Sequence, residues 1–192
     1  LVYMNSETEL KYPVRFVGKE RRVYLSGEAY FEVQRDTAKP FIVVMNGNEV
    51  RVLGTEFNVR SYKDEKCQFT TLVTGKVLLT TSDRKCMELL PNEQGIVDPQ
   101  GELRKEQVDV ALYTAWKDGN FVFRKQCLEN IMEIVERWYD LKVIFEDEWC
   151  KQVSFSGNVE RYDDFSKLAE MLEATGSVKF RIKNNEIYVT KR

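Results

Sequence analysis

The stretch Val52-Leu53-Gly54-Thr55-Glu56-Phe57-Asn58-Val59 decides the fold of the first half of this chain. It is typical of a strand, a Gly-Thr break and a second short strand, and it carries no set of side chains typical of catalysis. Gly54 is expected to allow a bend or bulge, with the Thr55 hydroxyl bonded to the backbone that the bend frees. Asn58 is expected to bond to the backbone in a similar way. Similar short apolar strands occur in residues 23–33 and 72–79.

Residues 1–108 are predicted to form an all-β N-terminal domain. Strand patterns recur about every 8 to 12 residues with turn signals between them, which is typical of a sandwich, a barrel or a short β-solenoid. The periodicity does not choose among these forms, and a sandwich or a short β-solenoid is the predicted fold. Asn46-Gly47 indicates a hairpin because both residues accept positive φ. Val14-Arg15-Phe16-Val17 is predicted to be one of the short strands.

The pattern changes in the second half of the chain. Residues 109–120 are predicted to be a linker that contains Trp116 and the helix-ending Gly119. Residues 121–192 then alternate strands and helices in the order β-α-β-β-α-β-β. We interpret this order as two βαβ units that form a small α+β domain. Asp163 is expected to cap the second helix of that domain.

The composition excludes several classes of function. The 192 residues include no histidine, which is the usual general base near neutral pH and the commonest metal ligand, so we expect no enzyme, metal or cofactor. The 29 basic and 31 acidic residues are mixed along the chain, so no basic stripe indicates nucleic-acid binding. The longest apolar run, Phe41-Ile42-Val43-Val44-Met45, is too short to span a bilayer. With no initiator Met, the chain is expected to be a piece of a longer protein.

The four cysteines do not form a metal or redox motif. Cys67, Cys86, Cys127 and Cys150 include no Cys-x-x-Cys pair. A disulfide between Cys67 and Cys86, or between Cys127 and Cys150, stays open from the sequence. Buried small apolar side chains are the favoured interpretation of all four.

Acidic residues offer no convincing active site. Glu146, Asp147 and Glu148 follow a strand, and a solvated turn explains this cluster better than a metal site. Glu28 stands without an evident partner in the sequence, so we interpret it as a structural or hydrogen-bonding residue. The sequence therefore favours a protein that works through contact surfaces.

Several blocks, taken together and in order, resemble the FecR family of anti-sigma regulators. In the first half the matching blocks are residues 25–33, 40–43, 52–59 and 72–77. In the second half residues 116–123, 138–143 and 155–157 resemble the C-terminal domain that accompanies many FecR proteins, which is similar to the short N-terminal domain of secretins and TonB-dependent receptors. The residues that we take as the structural signature are Gly27, Glu28, Phe31, Gly54, Thr55, Phe57, Asn58, Gly75, Trp116 and Gly119.

The resemblance implies a periplasmic sensor. FecR-like proteins combine a cytoplasmic segment that binds an extracytoplasmic-function sigma factor, one membrane helix and a periplasmic region. The periplasmic region receives a signal from the N-terminal signalling domain of a TonB-dependent outer-membrane transporter. This chain would be that region, with the membrane helix and the sigma-binding segment expected elsewhere in the full-length protein.

Docking by strand addition is the mechanism that we expect, because an exposed strand edge can pair with an incoming strand through main-chain bonds. Two edges are hypothesised. The residues of the first are Gln152, Val153, Ser154, Phe155, Ser156, Gly157 and Asn158, and those of the second are Glu186, Ile187, Tyr188, Val189 and Thr190.

Two alternatives stay open from the sequence. A periplasmic carbohydrate-binding module is suggested by the β-rich first half and by an aromatic content of 12%. A component of a secretion complex is suggested by the secretin-like second half.

Overall fold

The chain divides into two units, Leu1–Lys117 and Asp118–Arg192. The structure is a computed structural model that describes residues 1–161 and 165–192. The helix cap expected at Asp163 lies outside the described residues. Each unit has its own buried apolar core.

The first unit is built from eleven strands. They are β1 (Val2–Met4), β2 (Glu9–Lys11), β3 (Arg21–Glu32), β4 (Phe41–Met45), β5 (Asn48–Val52), β6 (Glu56–Ser61), β7 (Gln68–Thr74), β8 (Val77–Thr80), β9 (Cys86–Leu89), β10 (Glu93–Val97) and β11 (Leu103–Gln107). The hairpin predicted at Asn46-Gly47 is confirmed. β4 and β5 are antiparallel, Met45 is the partner of Asn48, and both residues of the turn between them have positive φ.

The strands form one strongly curled sheet in the order β11-β10-β7-β6-β3-β4-β5-β8-β9. The sheet is nearly closed, since Lys105 of β11 donates through Nζ to the backbone oxygen of Glu88 in β9 at 3.3 Å. The first half of β3 pairs with β2 and β4, and its second half pairs with β1 and β6. The chain is mostly β, as predicted, but the solenoid form is wrong because strands distant in sequence are neighbours in the sheet.

The core of this unit lies inside the curled sheet. Phe31 of β3 stacks on Phe57 of β6 with ring centroids 5.2 Å apart, and both side chains are fully buried. Gly95 of β10 admits side chains from the opposite layer, since a Cβ there would lie 3.0 Å from Leu79 and 3.1 Å from Leu89. A side chain at this position would require both leucines to shift by a few tenths of an ångström.

The predicted strand Val14–Val17 is wrong, because residues 12–19 form an irregular loop between β2 and β3. Pro13 has no N–H to donate to a sheet ladder. Phe16 packs against the core edge-on to Phe41, with ring centroids 6.5 Å apart, whereas Val14 and Val17 point to solvent. An apolar-polar-apolar pattern alone does not distinguish a strand from a loop with one anchored aromatic ring.

Residues 109–120, predicted as a linker, are largely helical. A short helix α1 (Ala111–Thr114) runs into a 3-10 helix (Ala115–Asp118). Trp116 is only 8% exposed and belongs to the first unit. Gly119 follows with φ of 76°.

The second unit has the predicted order of elements. They are β12 (Asn120–Cys127), α2 (Leu128–Tyr139), β13 (Lys142–Phe145), a 3-10 helix (Glu148–Gln152), β14 (Ser154–Glu160), α3 (Phe165–Glu173), β15 (Val178–Lys183) and β16 (Glu186–Lys191). The interpretation as two βαβ units is wrong. β12 and β14 pair antiparallel as one sheet, and β13, β16 and β15 form another, so each helix connects strands of different sheets.

The four cysteines, all of them in the described part of the chain, are free thiols. Cys150 is fully buried in the core of the second unit, and this burial raises the pKa of its thiol. The structure supports the expected packing role for Cys150, whereas Cys67 and Cys127 are half-buried and the expected burial is wrong for Cys86, which is exposed.

Gly27 makes a direct prediction about stability. Its φ is 115°, and a Cβ would lie 2.5 Å from Oγ1 of Thr8 and 2.7 Å from the Thr8 backbone. Replacement by alanine therefore adds a steric clash to a backbone strain of about 1 to 3 kcal/mol. Urea unfolding should show Gly27→Ala losing at least about 3 kcal/mol.

Gly18→Ala is the matched control, because Gly18 has a similar φ of 97° with no atom near its absent Cβ. We expect it to lose only the strain. Equal losses in the two variants would show that the contact with Thr8 does not constrain β3.

Candidate functional site

A buried polar network joins the start, the middle and the end of the first unit. Glu28 of β3 is 7% exposed, and its two carboxylate oxygens accept from the side-chain amides of Asn5 and Asn58, each at 2.8 Å. The Asn58 oxygen in turn accepts from the indole N–H of Trp116 at 3.2 Å. Asn58 therefore orients two side chains, which corrects the expectation that it bonds to the backbone.

The Thr8 hydroxyl contacts both backbone polar groups of Glu28, whose carbonyl also accepts from the Asn5 N–H at 2.9 Å. Oγ1 of Thr8 donates to the Glu28 carbonyl at 3.1 Å, and the same Oγ1 accepts from the Glu28 N–H at 2.9 Å. This close approach is possible because the preceding residue is Gly27. The signature residues Gly27, Glu28, Asn58 and Trp116 are thus brought together.

Burial governs the electrostatics of the Glu28 carboxyl. Burial raises the pKa of its carboxyl, against the opposing effects of the Arg60 charge and of the two amide donors. Arg60 makes a bidentate ion pair with Glu65, at 2.6 to 3.0 Å, so its charge is shared between two carboxylates. The polar atoms of Glu28 are bonded within the network, which offers no open position for a substrate.

Three other signature residues form a tight corner between β5–β6 and β7–β8. A Cβ on Gly75 would lie 2.9 Å from the Gly54 oxygen and from Oγ1 of Thr55, and a Cβ on Gly54 would lie 2.5 Å from the Arg35 backbone. The Thr55 hydroxyl donates to the Lys76 carbonyl at 3.1 Å. These positions are architectural. Phe31 and Phe57 lie in the core of the first unit, and Gly119 belongs to the second unit.

The cavity beside this corner has no metal-binding geometry. It has a volume of about 360 Å³ and is lined by residues 32–35, 54–56 and 74. Glu32 and Glu56 face each other across β3 and β6 there. Over residues 1–161 and 165–192 no group of three or more possible metal ligands occurs. The acidic cluster after β13 also behaves as a turn, since Glu146 pairs with Arg181 at 2.9 Å and Glu148 with Lys151 at 2.8 Å.

One of the two hypothesised docking edges is wrong. β16, which contains Glu186, Ile187, Tyr188, Val189 and Thr190, lies between β13 and β15 and pairs with both. Ile187 and Val189 are also fully buried. A C-terminal strand is not necessarily an edge strand, and here the parallel pairing with β13 places it in the centre.

The other hypothesised edge lies on β14. The Arg161 N–H donates to the Gly119 oxygen at 2.7 Å, which makes 161 and 119 a hydrogen-bonded pair. Hydrogen-bonded and non-hydrogen-bonded pairs alternate along an antiparallel ladder, so Glu160 and Asn158 stand in non-hydrogen-bonded pairs. Their backbone N–H and C=O groups therefore point away from β12. β14 has no second strand partner in the part of the chain that the structure describes.

The side chains of the predicted edge residues divide by position. Ser154, Ser156 and Asn158 are exposed, whereas Phe155 is 5% exposed and packs in the core. Gly157 faces the same core, because a Cβ there would lie 3.0 Å from Phe123. Gln152 and Val153 precede the strand, and the Val153 carbonyl accepts from the Leu128 N–H at 2.8 Å.

Two glutamates protect the edges of the three-stranded sheet. Glu136 of α2 accepts through Oε1 from the backbone N–H of Val143 in β13 at 2.6 Å. Glu173 of α3 accepts in the same way from the N–H of Phe180 in β15 at 2.5 Å. Both N–H groups point away from β16, so each carboxylate occupies a position where an added strand would bond.

Sequence reasoning missed several of these residues. Asn5, Thr8 and Arg60 lie far in sequence from Glu28, and no local pattern indicates their contact with it. Glu136 and Glu173 do carry a signal, because each precedes the N–H that it binds by seven residues. A glutamate at a helix end, seven residues before the centre of an apolar strand, is therefore a pattern that can be searched for.

Two families match the chain, each over one of its units. The family described as FecR protein matches residues 1–78, and the family described as FecR, C-terminal matches residues 120–189. No curated protein is similar enough to match. Within the described residues, no helix is long and apolar enough to cross a membrane.

Solved structures extend the similarity to the whole chain. A 1.65 Å crystal structure of a protein from Parabacteroides distasonis, provisionally described as an anti-sigma factor, has 30% identity and a TM-score of 0.88, covering 100% of this chain and 90% of that one. A 2.50 Å structure with the same description and organism has 30% identity and a TM-score of 0.87, covering 100% and 89%. The class that these matches define is the anti-sigma regulators. This chain belongs to the FecR family, which is regulatory and not enzymatic.

Glu28→Gln should change how stability depends on pH. Because the folded-state pKa of Glu28 is raised above that of the unfolded chain, its contribution is most favourable below about pH 4.5 and is lost as the pH rises through the folded-state value. The free energy of unfolding of the native protein, relative to Glu28→Gln, should therefore fall as the pH rises from about 5 to 7. Urea titrations at several pH values measure this difference. Parallel curves for the two proteins would contradict the assignment.

Glu136→Ala and Glu173→Ala should each destabilise the second unit by about 1 kcal/mol, because a backbone N–H loses its acceptor. The freed edges should also increase self-association in sedimentation velocity. Glutamine keeps a carbonyl oxygen for the same N–H, so Glu136→Gln and Glu173→Gln are the matched controls and should stay close to the native protein. Equal losses in alanine and glutamine variants would show that the charge acts, and not the edge hydrogen bond.

Proposed function

We propose that this chain is the periplasmic sensor portion of a FecR-type anti-sigma regulator. In this proposal it relays a signal from a TonB-dependent outer-membrane transporter to an extracytoplasmic-function sigma factor. Membership of the FecR family supports the anti-sigma role and implies a sigma factor as partner. The transporter contact and the periplasmic location are the parts that we add.

The observation that carries the docking step is the open edge of β14. Asn158 and Glu160 direct backbone donors and acceptors away from β12, and the outer side chains of the strand are small or polar. The two edges of the other sheet are each occupied by a glutamate. A strand from the transporter's signalling domain would therefore add to β14, where main-chain hydrogen bonds provide affinity.

A carbohydrate-binding function is less well supported by the packing of the tryptophans. Trp116 is buried in the Glu28 network, and Trp138 packs edge-on to Phe121 with centroids 4.9 Å apart while Arg161 covers its face at 4.6 Å. Trp149 is 53% exposed. A stacking platform for a sugar ring normally needs an open aromatic face, and among these three rings only Trp149 is largely exposed.

The test uses a proline at the edge. Asn158→Pro removes one outward N–H of β14 without removing a ladder bond to β12, because prolines are tolerated at the open side of an edge strand. Isothermal titration with the transporter's N-terminal signalling domain should show binding weakened about tenfold or more, since one main-chain hydrogen bond and the fit of the added strand are lost.

Asn158→Ala is the control, because it removes the side chain and keeps the N–H. It should bind within about threefold of the native chain. Circular dichroism checks that both variants stay folded. Unchanged binding by folded Asn158→Pro would refute docking at β14, and no binding by the native chain would refute the transporter as partner.

A further inference from the structure

The loop formed by residues 12–19, between β2 and β3, exposes an unusual amount of apolar surface. Val14 is 100% exposed, Val17 is 89% exposed and Tyr12 is 67% exposed. Scattered exposed apolar side chains are normal, but three within six residues at such exposures form a cluster. The loop is thus a candidate contact surface that the proposed function does not use.

The loop is fixed to the sheet at its centre and at its base. The Phe16 ring packs on the core against Phe41, and the Phe16 carbonyl accepts a hydrogen bond from Nζ of Lys39. At the base, Arg21 donates through Nε to the Lys39 carbonyl at 2.9 Å, and its backbone N–H donates to the Pro40 carbonyl at 2.8 Å. Because the Phe16 ring packs inward, Val14 and Val17 on either side of it point to solvent.

The charge on the loop has one sign. Arg15 and Lys19 have no ion-pair or hydrogen-bond partner among the described residues. The acid next to the loop in the sequence, Glu20, pairs with Arg51 at 2.7 Å and with Arg22 at 3.1 Å, which lowers its pKa. The loop of residues 12–19 therefore combines two exposed valines with two cations that have no ion-pair partner in the described part of the chain.

We propose that this loop inserts into the surface of an anionic phospholipid bilayer. The valines and Tyr12 would enter the boundary between headgroups and acyl chains, while Arg15 and Lys19 would contact lipid phosphates. Proteins of this family are membrane anti-sigma factors, so a bilayer surface is close to the chain at high effective concentration. A weak contact is then sufficient to orient the first unit on the membrane.

Vesicle binding tests the proposal with the full chain of 192 residues. The native chain should cosediment with vesicles of phosphatidylcholine and phosphatidylglycerol and much less with phosphatidylcholine alone. A Val14→Ser, Val17→Ser double variant should lose most of this binding. An Arg15→Gln, Lys19→Gln double variant should bind about 25-fold more weakly, since each cation near an anionic surface is worth about fivefold in affinity.

Leu90→Ser is the matched control, because Leu90 is 51% exposed in a turn of the same unit. It should bind vesicles like the native chain, and unfolding curves should be unchanged for all variants because the altered side chains are exposed. Failure of the native chain to prefer anionic vesicles would overturn the proposal, as would an equal loss in Leu90→Ser.

The transporter assay separates this inference from the proposed function. Asn158→Pro should bind vesicles normally, and the valine variant should bind the transporter's signalling domain normally. If the valine variant lost the transporter domain and the native chain ignored vesicles, the loop would be a protein contact and the lipid proposal would be wrong.

Discussion

The first unit depends on one strand that serves two parts of a curled sheet. β3 pairs with β2 and β4 along its first half and with β1 and β6 along its second half. The change of partners occurs at Gly27, whose positive φ and missing Cβ let Thr8 reach the backbone of Glu28. Without this approach the two halves of β3 could not both keep their hydrogen bonds and enclose a common core.

The same place holds the buried carboxyl group of Glu28. A carboxylate that is nearly excluded from water is costly unless its oxygens are bonded. Glu28 meets this requirement with two amide donors, and Trp116 then fixes the orientation of one of those amides. The network therefore fixes the packing of distant segments, and its polar atoms are bonded to each other.

Sequence reasoning succeeded where the physics is local. The hairpin at Asn46-Gly47 and the order of helices and strands in the second unit follow from turn chemistry and periodicity. Strand pairing depends on contacts between distant segments, which explains why β16 was wrongly expected at an edge and why the βαβ interpretation was wrong. The partners of Glu28 were hidden for the same reason, since Asn5 and Asn58 lie 23 and 30 residues away. The loop at Val14 misled because its alternation matches a strand while Pro13 and the anchored Phe16 favour an irregular path.

The bond between Trp116 and Asn58 has a kinetic consequence. It joins residues 58 positions apart, close to the end of the first unit. Long-range contacts form slowly because the chain entropy of a large loop is lost before the contact is gained. During synthesis, which begins at the N-terminus, the interior of this unit can therefore be completed only after Trp116 has been made. Intermediates that lack it will keep an unsatisfied amide at their centre, and they depend on the last helical turn to become native.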